Sequence, residues 1–326
     1  MKIVKIKIIK FLAVLLGIIG IIPIFIHPAF AQEISLGVYP PILQINTEAP
    51  ASVKAPFTIE NNSDNPIDLD IVLKPFTTSP KEDGEVSFLP EGQQMPGADP
   101  NIFSKMQIYN GSSVITKITL APQQQKNLTL HIGIPSDEPP SDYYFTILFV
   151  SHGQNITTET TTATTAGIGV NVLLSIGPKG NTTGLLNQFS TPWFTTHGPV
   201  AFISSVQNTS NFFIVPKGDI VIKNIFGQAV GHIQLLPVNI LANTSRFLPD
   251  TKSGSLDKAI WPETFVFGLY SATLTVALSN TGPLFTKTIY FVALPISFFI
   301  GLIIVCLLAA AIFYHVRRKL KLRHKI

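Results

Sequence analysis

The residues able to do chemistry in this 326-residue chain are few and scattered. Outside the terminal segments the histidines are His131, His152, His197 and His232, far apart in sequence. They form neither H-x-H nor H-E-x-x-H, the spacings that bring two imidazoles onto one metal. No G-x-S-x-G elbow, phosphate-binding loop or dinucleotide fingerprint occurs. Hydrolysis, phosphoryl transfer and hydride transfer each need a convergent set of side chains. The expectation is therefore a protein that is not an enzyme, with no catalytic, cofactor-binding or metal residues and no cofactor. Cys306 is the only cysteine and lies within a long apolar run. It reads as a packing residue, and the rest of the chain has neither a disulfide nor a thiolate site.

Weaker candidates remain. Asp64, Asp68 and Asp70, and Glu82, Asp83 and Glu85, are groups of carboxylates that could hold calcium. They lack the ligand spacing of a calcium loop and read as a solvated strand face and a solvated loop. Seven N-x-S/T sequons occur, at Asn61, Asn110, Asn127, Asn155, Asn181, Asn208 and Asn243, each a possible glycan acceptor where the machinery exists. Arg246 is the only arginine between residues 32 and 290. Its planar fork suits loop carbonyls or a carboxylate, and a structural role is the reading. Trp193, Phe194 and Trp261 could stack on sugar rings or anchor a partner. Aromatics of this kind more often fill a core or a seam, and that is the expectation. Ligand-binding residues remain unassigned.

The elements that would position these residues are strands. Between Gln32 and Thr288, short runs rich in Val, Ile, Thr and Phe alternate with clusters of Pro, Gly, Asn and Asp, the pattern of a β-sandwich. In the first half, residues 36–45 read as an opening edge strand, followed by strands at 52–60, 67–74, 114–120, 128–134 and 143–150. Residues 81–100 read as a long acidic loop. The Thr-rich stretch 155–165 reads as the loop of a hairpin whose last strand is 167–176, a linker being the other possibility. In the second half, strands are expected at 200–208, 218–224, 231–236, 267–278 and 286–290, with a glycine-flanked turn at 224–231. The two halves repeat one architecture.

The chain ends set the topology. Residues 1–10 carry four lysines, an apolar stretch follows, and Ala29-Phe30-Ala31 is a small-residue cleavage site. Residues 1–31 therefore read as a signal peptide. Residues 291–314 are uncharged and as a helix would extend roughly 36 Å, enough for a hydrocarbon core of about 30 Å. The tail, 315–326, holds six Lys or Arg and no acid, which keeps it cytoplasmic and the rest outside. The part between the signal and the anchor has thirteen bases against nineteen acids, a net charge of −6, which disfavours nucleic acid. The expected organisation is a signal peptide (1–31), a first β-sandwich (32–178), a linker (179–184), a second β-sandwich (185–290), a transmembrane helix (291–314) and a basic cytoplasmic tail (315–326). The fold class is all-β, two tandem immunoglobulin-like β-sandwiches followed by one transmembrane helix. A lysine-rich signal and a cysteine-free exterior fit a prokaryotic cell surface.

With YPPILQI, then IENNSDNP, then LAPQQQKNLTLHIGIPSDEPPSDYYFTILF, the first half resembles the N-terminal sandwich of WxL-interacting cell-surface proteins, itself similar to the pilus-chaperone variant of the immunoglobulin fold. The second half, with FFIVPKGDIVIKNIFGQAVGHI, ILANTSRF, Trp261 and FGLYSATL, resembles their membrane-proximal module. The resemblance implies peptidoglycan binding for the first module and protein binding for the second. It assigns no ligand residue, because the Thr-rich loop and the 81–100 loop depart from the pattern. The functional expectation is a membrane-anchored adhesion or scaffold protein binding cell-wall polymer or another secreted or surface protein. The alternative is a tethered chaperone-like assembly factor for secreted subunits.

Overall fold

The computed structural model describes residues 35–90, 93, 101–151 and 166–323. The expected signal peptide (1–31), the sequon Asn155 with its Thr-rich stretch, and His152 lie outside the described residues.

The period-two pattern of the sequence becomes strand geometry directly. In Ala51–Asn61 the side chains of Ala55, Phe57, Ile59 and Asn61 are buried while Lys54 and Pro56 face out. The same alternation that sends Phe57 and Ile59 inward carries an asparagine into the interior. The run YYFTILFV lies in Ser141–Ser151 and is buried almost throughout, as a central strand must be.

The strands of the first module are β1 (Leu36–Tyr39), β2 (Ile42–Thr47), β3 (Ala51–Asn61), β4 (Ile67–Thr78), β5 (Val86–Phe88), β6 (Met106–Asn110), β7 (Ser113–Val114), β8 (Lys117–Leu120), β9 (Gln125–Ile134), β10 (Ser141–Ser151) and β11 (Ala166–Ile176). Those of the second are β12 (Gly184–Ser190), β13 (Phe194–Thr195), β14 (Val200–Asn208), β15 (Lys217–Asn224), β16 (Ala229–Gln234), β17 (Ser245–Phe247), β18 (Ala259–Trp261), β19 (Gly268–Ala277) and β20 (Leu284–Ala293). One sheet of the first module has the order β1-β3-β9-β6-β7; the other runs β2-β11-β10-β4-β5, with β8 also on β4. The second module has β12-β14-β17, with β18 also on β14, and β13-β20-β19-β15-β16. In both modules the opening segment crosses between sheets. It pairs antiparallel with the second long strand, as β1 with β3 and β12 with β14, and then parallel with the last, as β2 with β11 and β13 with β20. These are immunoglobulin-like β-sandwiches, and the two halves share this crossing of the opening segment while differing in strand number, eleven against nine.

The cores form where inward faces meet. Phe57 of β3 lies 6.1 Å from Phe149 of β10, across the first sandwich. Phe202 of β14 meets Phe291 of β20 edge-on at 5.9 Å, with Trp261 and Tyr270 packed beside them.

Several expected boundaries are corrected. The opening run is two strands, β1 and β2, separated at Pro40-Pro41. The acidic loop 81–100 contains β5, which pairs with the end of β4. Residues 114–120 divide between β7 and β8 in different sheets. The second sandwich ends at Ala293 rather than at 290, because Phe291 is a core residue paired with Tyr270. Helix α1 spans Ile296–Arg323, so the helix expected from Phe291 begins after Pro295. Among the described residues no helix is long and apolar enough to cross a membrane; the side chains of Ser297, Phe298, Leu302 and the basic tail lie outside that description.

Candidate interaction surfaces

The end of the second long strand is built identically in the two modules. Asn61 closes β3, and its amide nitrogen donates to the carbonyls of Asn65, Leu120 and Ala121 at 2.8, 3.3 and 3.0 Å. Asn208 closes β14 and donates to Phe212, Ile240 and Leu241 at 2.8, 3.2 and 3.0 Å. Each side-chain oxygen accepts from the backbone N–H two residues on, Ser63 or Ser210. Both asparagines are fully buried. The expected sequons at these two positions are thus structural plugs with no exposed amide, whereas Asn110, Asn127, Asn181 and Asn243 are exposed.

The seam between the modules is apolar at its centre and polar at its margin. Phe76, Tyr144 and Leu173 pack with Phe213 and Leu241. The Tyr144 hydroxyl donates to Asp142 at 2.7 Å and accepts from the Ala242 N–H at 3.2 Å. Asp142 also accepts the Phe213 N–H at 2.6 Å. Burial, and then the nearby Asp142 carboxylate, push the Tyr144 phenol well above its ordinary range. Lys179 lies 3.9 Å over the Phe213 ring; burial lowers its pKa against the opposing attraction of Asp142.

On the other margin, the hairpin tip between β4 and β5 caps β17. The Glu82 carbonyl accepts the Phe247 N–H at 3.0 Å, and its carboxylate accepts from Ser205 at 2.9 Å. Arg246 donates to the Asn239 carbonyl at 2.8 Å. It passes so close to Gly84 that a Cβ there would overlap the guanidinium. Burial lowers the Arg246 pKa despite the attraction of Asp83. Its Nε is buried and has no hydrogen-bond partner among the described residues.

Among the described residues, part of the β11 edge has no partner strand. β2 pairs with β11 only from Asn171 to Ile176, so residues 166–170 have β10 on one side and no described strand on the other. The Asn171 N–H points to the β2 side, where it donates to Pro41 at 3.0 Å. Backbone groups alternate along a strand, so the N–H and C=O of Gly169 and Gly167 face the open side too. An unpaired strand edge is a template for another chain, and neither glycine carries a side chain; Gly167 is exposed and Gly169 half-buried. The alternate glycines of GIGV were visible in the sequence. Their edge was not, because it depends on where β2 stops.

The remaining candidates take ordinary places. Asp68 accepts from the Thr119 hydroxyl and Asp70 pairs with Lys117 at 3.0 Å. Among the described residues no group of three or more His, Cys, Asp or Glu could hold a metal ion. His131 stacks on Tyr109 at 4.1 Å, His232 meets Asp219 at 2.9 Å, and His197 meets the Thr196 hydroxyl. Trp261 fills the second core, but Trp193 is 77 % exposed, against the expectation that both fill a core or a seam. Trp193 precedes β13 at the crossing between sheets, where neither inner face receives it.

No family model matches the chain, and no curated protein matches it. Solved structures similar to it include the E. coli chaperone DraB, at 12 % identity and a TM-score of 0.35, over 78 % of this chain and 96 % of that one. The class 5 fimbriae chaperone CfaA is similar at 13 % identity and a TM-score of 0.35, over 79 % of this chain and 99 % of that one. Likeness at this level is no basis for assigning function.

Proposed function

We propose that the chain is a non-enzymatic, membrane-anchored surface protein that docks another secreted or surface protein by strand addition. The observation that carries this reading is the open edge of β11 at Gly167 and Gly169. Main-chain pairing along such an edge supplies affinity, and side chains beside it supply selectivity. The anchor is the uncharged stretch from Ile296 to Tyr314, nineteen residues that as helix extend about 28 Å. Its described side chains are exposed and apolar all round, which suits lipid and not water. The resemblance to WxL-interacting proteins fits this layout and keeps cell-wall polymer as a possible ligand. The same open edge supports a second reading, a tethered assembly chaperone that captures a subunit and then releases it.

The test uses Gly167→Pro in the full-length chain. Proline removes the outward N–H and is tolerated at an edge, so the β10 pairing persists. Purified protein in detergent is offered wall sacculi and a surface-protein extract of its host. Capture of a defined protein that the variant loses, with unchanged thermal unfolding, supports docking at the edge; release of that protein on its further assembly supports the chaperone reading. Capture that the variant leaves intact removes the edge from consideration, and retention on sacculi alone replaces strand addition by wall binding.

A further inference from the structure

The end of the second sandwich from which α1 leaves is ringed by exposed apolar side chains. Strand register fixes which segments meet there. The last rung of the sheet is Thr195, Ala293 and Gly268 on β13, β20 and β19. β15 reaches Asn224 opposite Tyr270, so the turn after it projects in the same direction. The loop after β18 arrives there as well, where the Thr264 carbonyl accepts the Gly198 N–H at 3.1 Å.

These segments carry Trp193, Ile225, Phe226, Phe265, Phe267 and Leu294, all exposed, with Phe226 at 84 %. The Phe267 ring is 5.8 Å from that of Phe299 in the first turn of the helix, so the ring of residues sits at the helix root. Residues 191–197, 224–231, 262–271 and 288–296 contain one charged residue, Glu263, in an exterior otherwise rich in acids. A soluble surface seldom exposes so much apolar area together without a partner.

We infer that this end of the sandwich is seated in the headgroup layer of a lipid bilayer, with these aromatic loop tips inserted around the helix. The inference rests on the proposed anchor, which fixes the depth of the helix root. Trp and other amphipathic rings favour that layer. All six side chains stand in turns and connections outside the strands, where they can reach between headgroups.

The full-length chain carrying Cys306→Ser is reconstituted into phosphatidylcholine–phosphatidylglycerol vesicles. A single cysteine, at Phe226→Cys or at Asn280→Cys in the turn at the opposite end of the sheet, carries a polarity-sensitive fluorophore. The expected result is a blue shift at 226 and several-fold stronger quenching by a nitroxide lipid labelled near the glycerol than at 280, with aqueous iodide showing the reverse. Trp193 gives a label-free second reading: brominated lipid should quench the parent more than Trp193→Phe, whose remaining Trp261 is buried. If the chain floats with the vesicles but both sites are equally open to iodide, the headgroup seat is wrong and the anchor stands. If the chain does not float, both are wrong. Shielding of 226 in native membrane fragments but not in pure lipid would assign the surface to a protein partner and overturn the inference.

Discussion

Asn61 and Asn208 each tie three carbonyls from two segments to the end of one strand. A buried carbonyl that loses its donor costs about 1–3 kcal/mol. Asn61→Ala and Asn208→Ala should therefore each destabilise their module by about 3 kcal/mol, read from denaturant midpoints. Neither position should carry a glycan on folded protein, which mass spectrometry of chain made in a glycosylating host would check. Asp250 is a second anchor: its carboxylate accepts the N–H groups of Lys252, Ser253 and Ile260 at 2.6, 2.6 and 2.8 Å. Burial by itself would raise its pKa; hydrogen bonds from Ser253 and these amides outweigh that and lower it. A carboxyl with a folded pKa below its unfolded value stabilises the fold above the unfolded value and ceases to do so as pH falls through the folded one. The second module should lose stability on acidification below about pH 4, and Asp250→Asn should flatten that part of the profile while lowering stability at neutral pH.

Strands and seams were legible to different degrees. At the seam, the Tyr144 hydroxyl links β10 to Ala242 of the other module. Tyr144→Phe should cost about 1 kcal/mol and speed proteolysis of the connection 177–183, while each core unfolds as before. The boundaries of β14 coincide with the run VAFISSVQN, which opens apolar and is followed by a polar turn. β12 escapes such reading because its register shifts between Leu186 and Gln188, which breaks the period of two. β17 and β18 have three residues each, too few for any period to show. Across the junction of β20 and α1 the sequence is uncharged from Thr288 to Tyr314, so only Pro295 marks the change of geometry. The carboxamide plugs were present in sequence as repeated N-x-S triplets. Their burial follows from strand phase, which the local triplet does not encode. The open edge of β11 was hidden for a longer-range reason: it is defined by the length of β2, more than a hundred residues earlier.

At the scale of the whole molecule, the proposed anchor would follow the last strand of the second sandwich almost without a linker. Only Leu294 and Pro295 separate β20 from α1. The strand beside it, β13, runs parallel, and the bonds between them include Val292 N–H to the Trp193 carbonyl at 2.8 Å and Leu294 N–H to the Thr195 carbonyl at 3.0 Å. Suppose a partner held by the first module is pulled away from the membrane. The tension enters the second module through its N-terminal side and leaves through the C-terminal end of β20, so β13 and β20 are drawn in opposite directions along their common axis. Both bonds are then loaded together in shear, and neither can open before the other as in a zipper. The second sandwich is thereby a mechanical clamp as well as a spacer. In single-molecule pulling from residue 184 and the helix it should resist more force than when pulled across the β15–β16 turn.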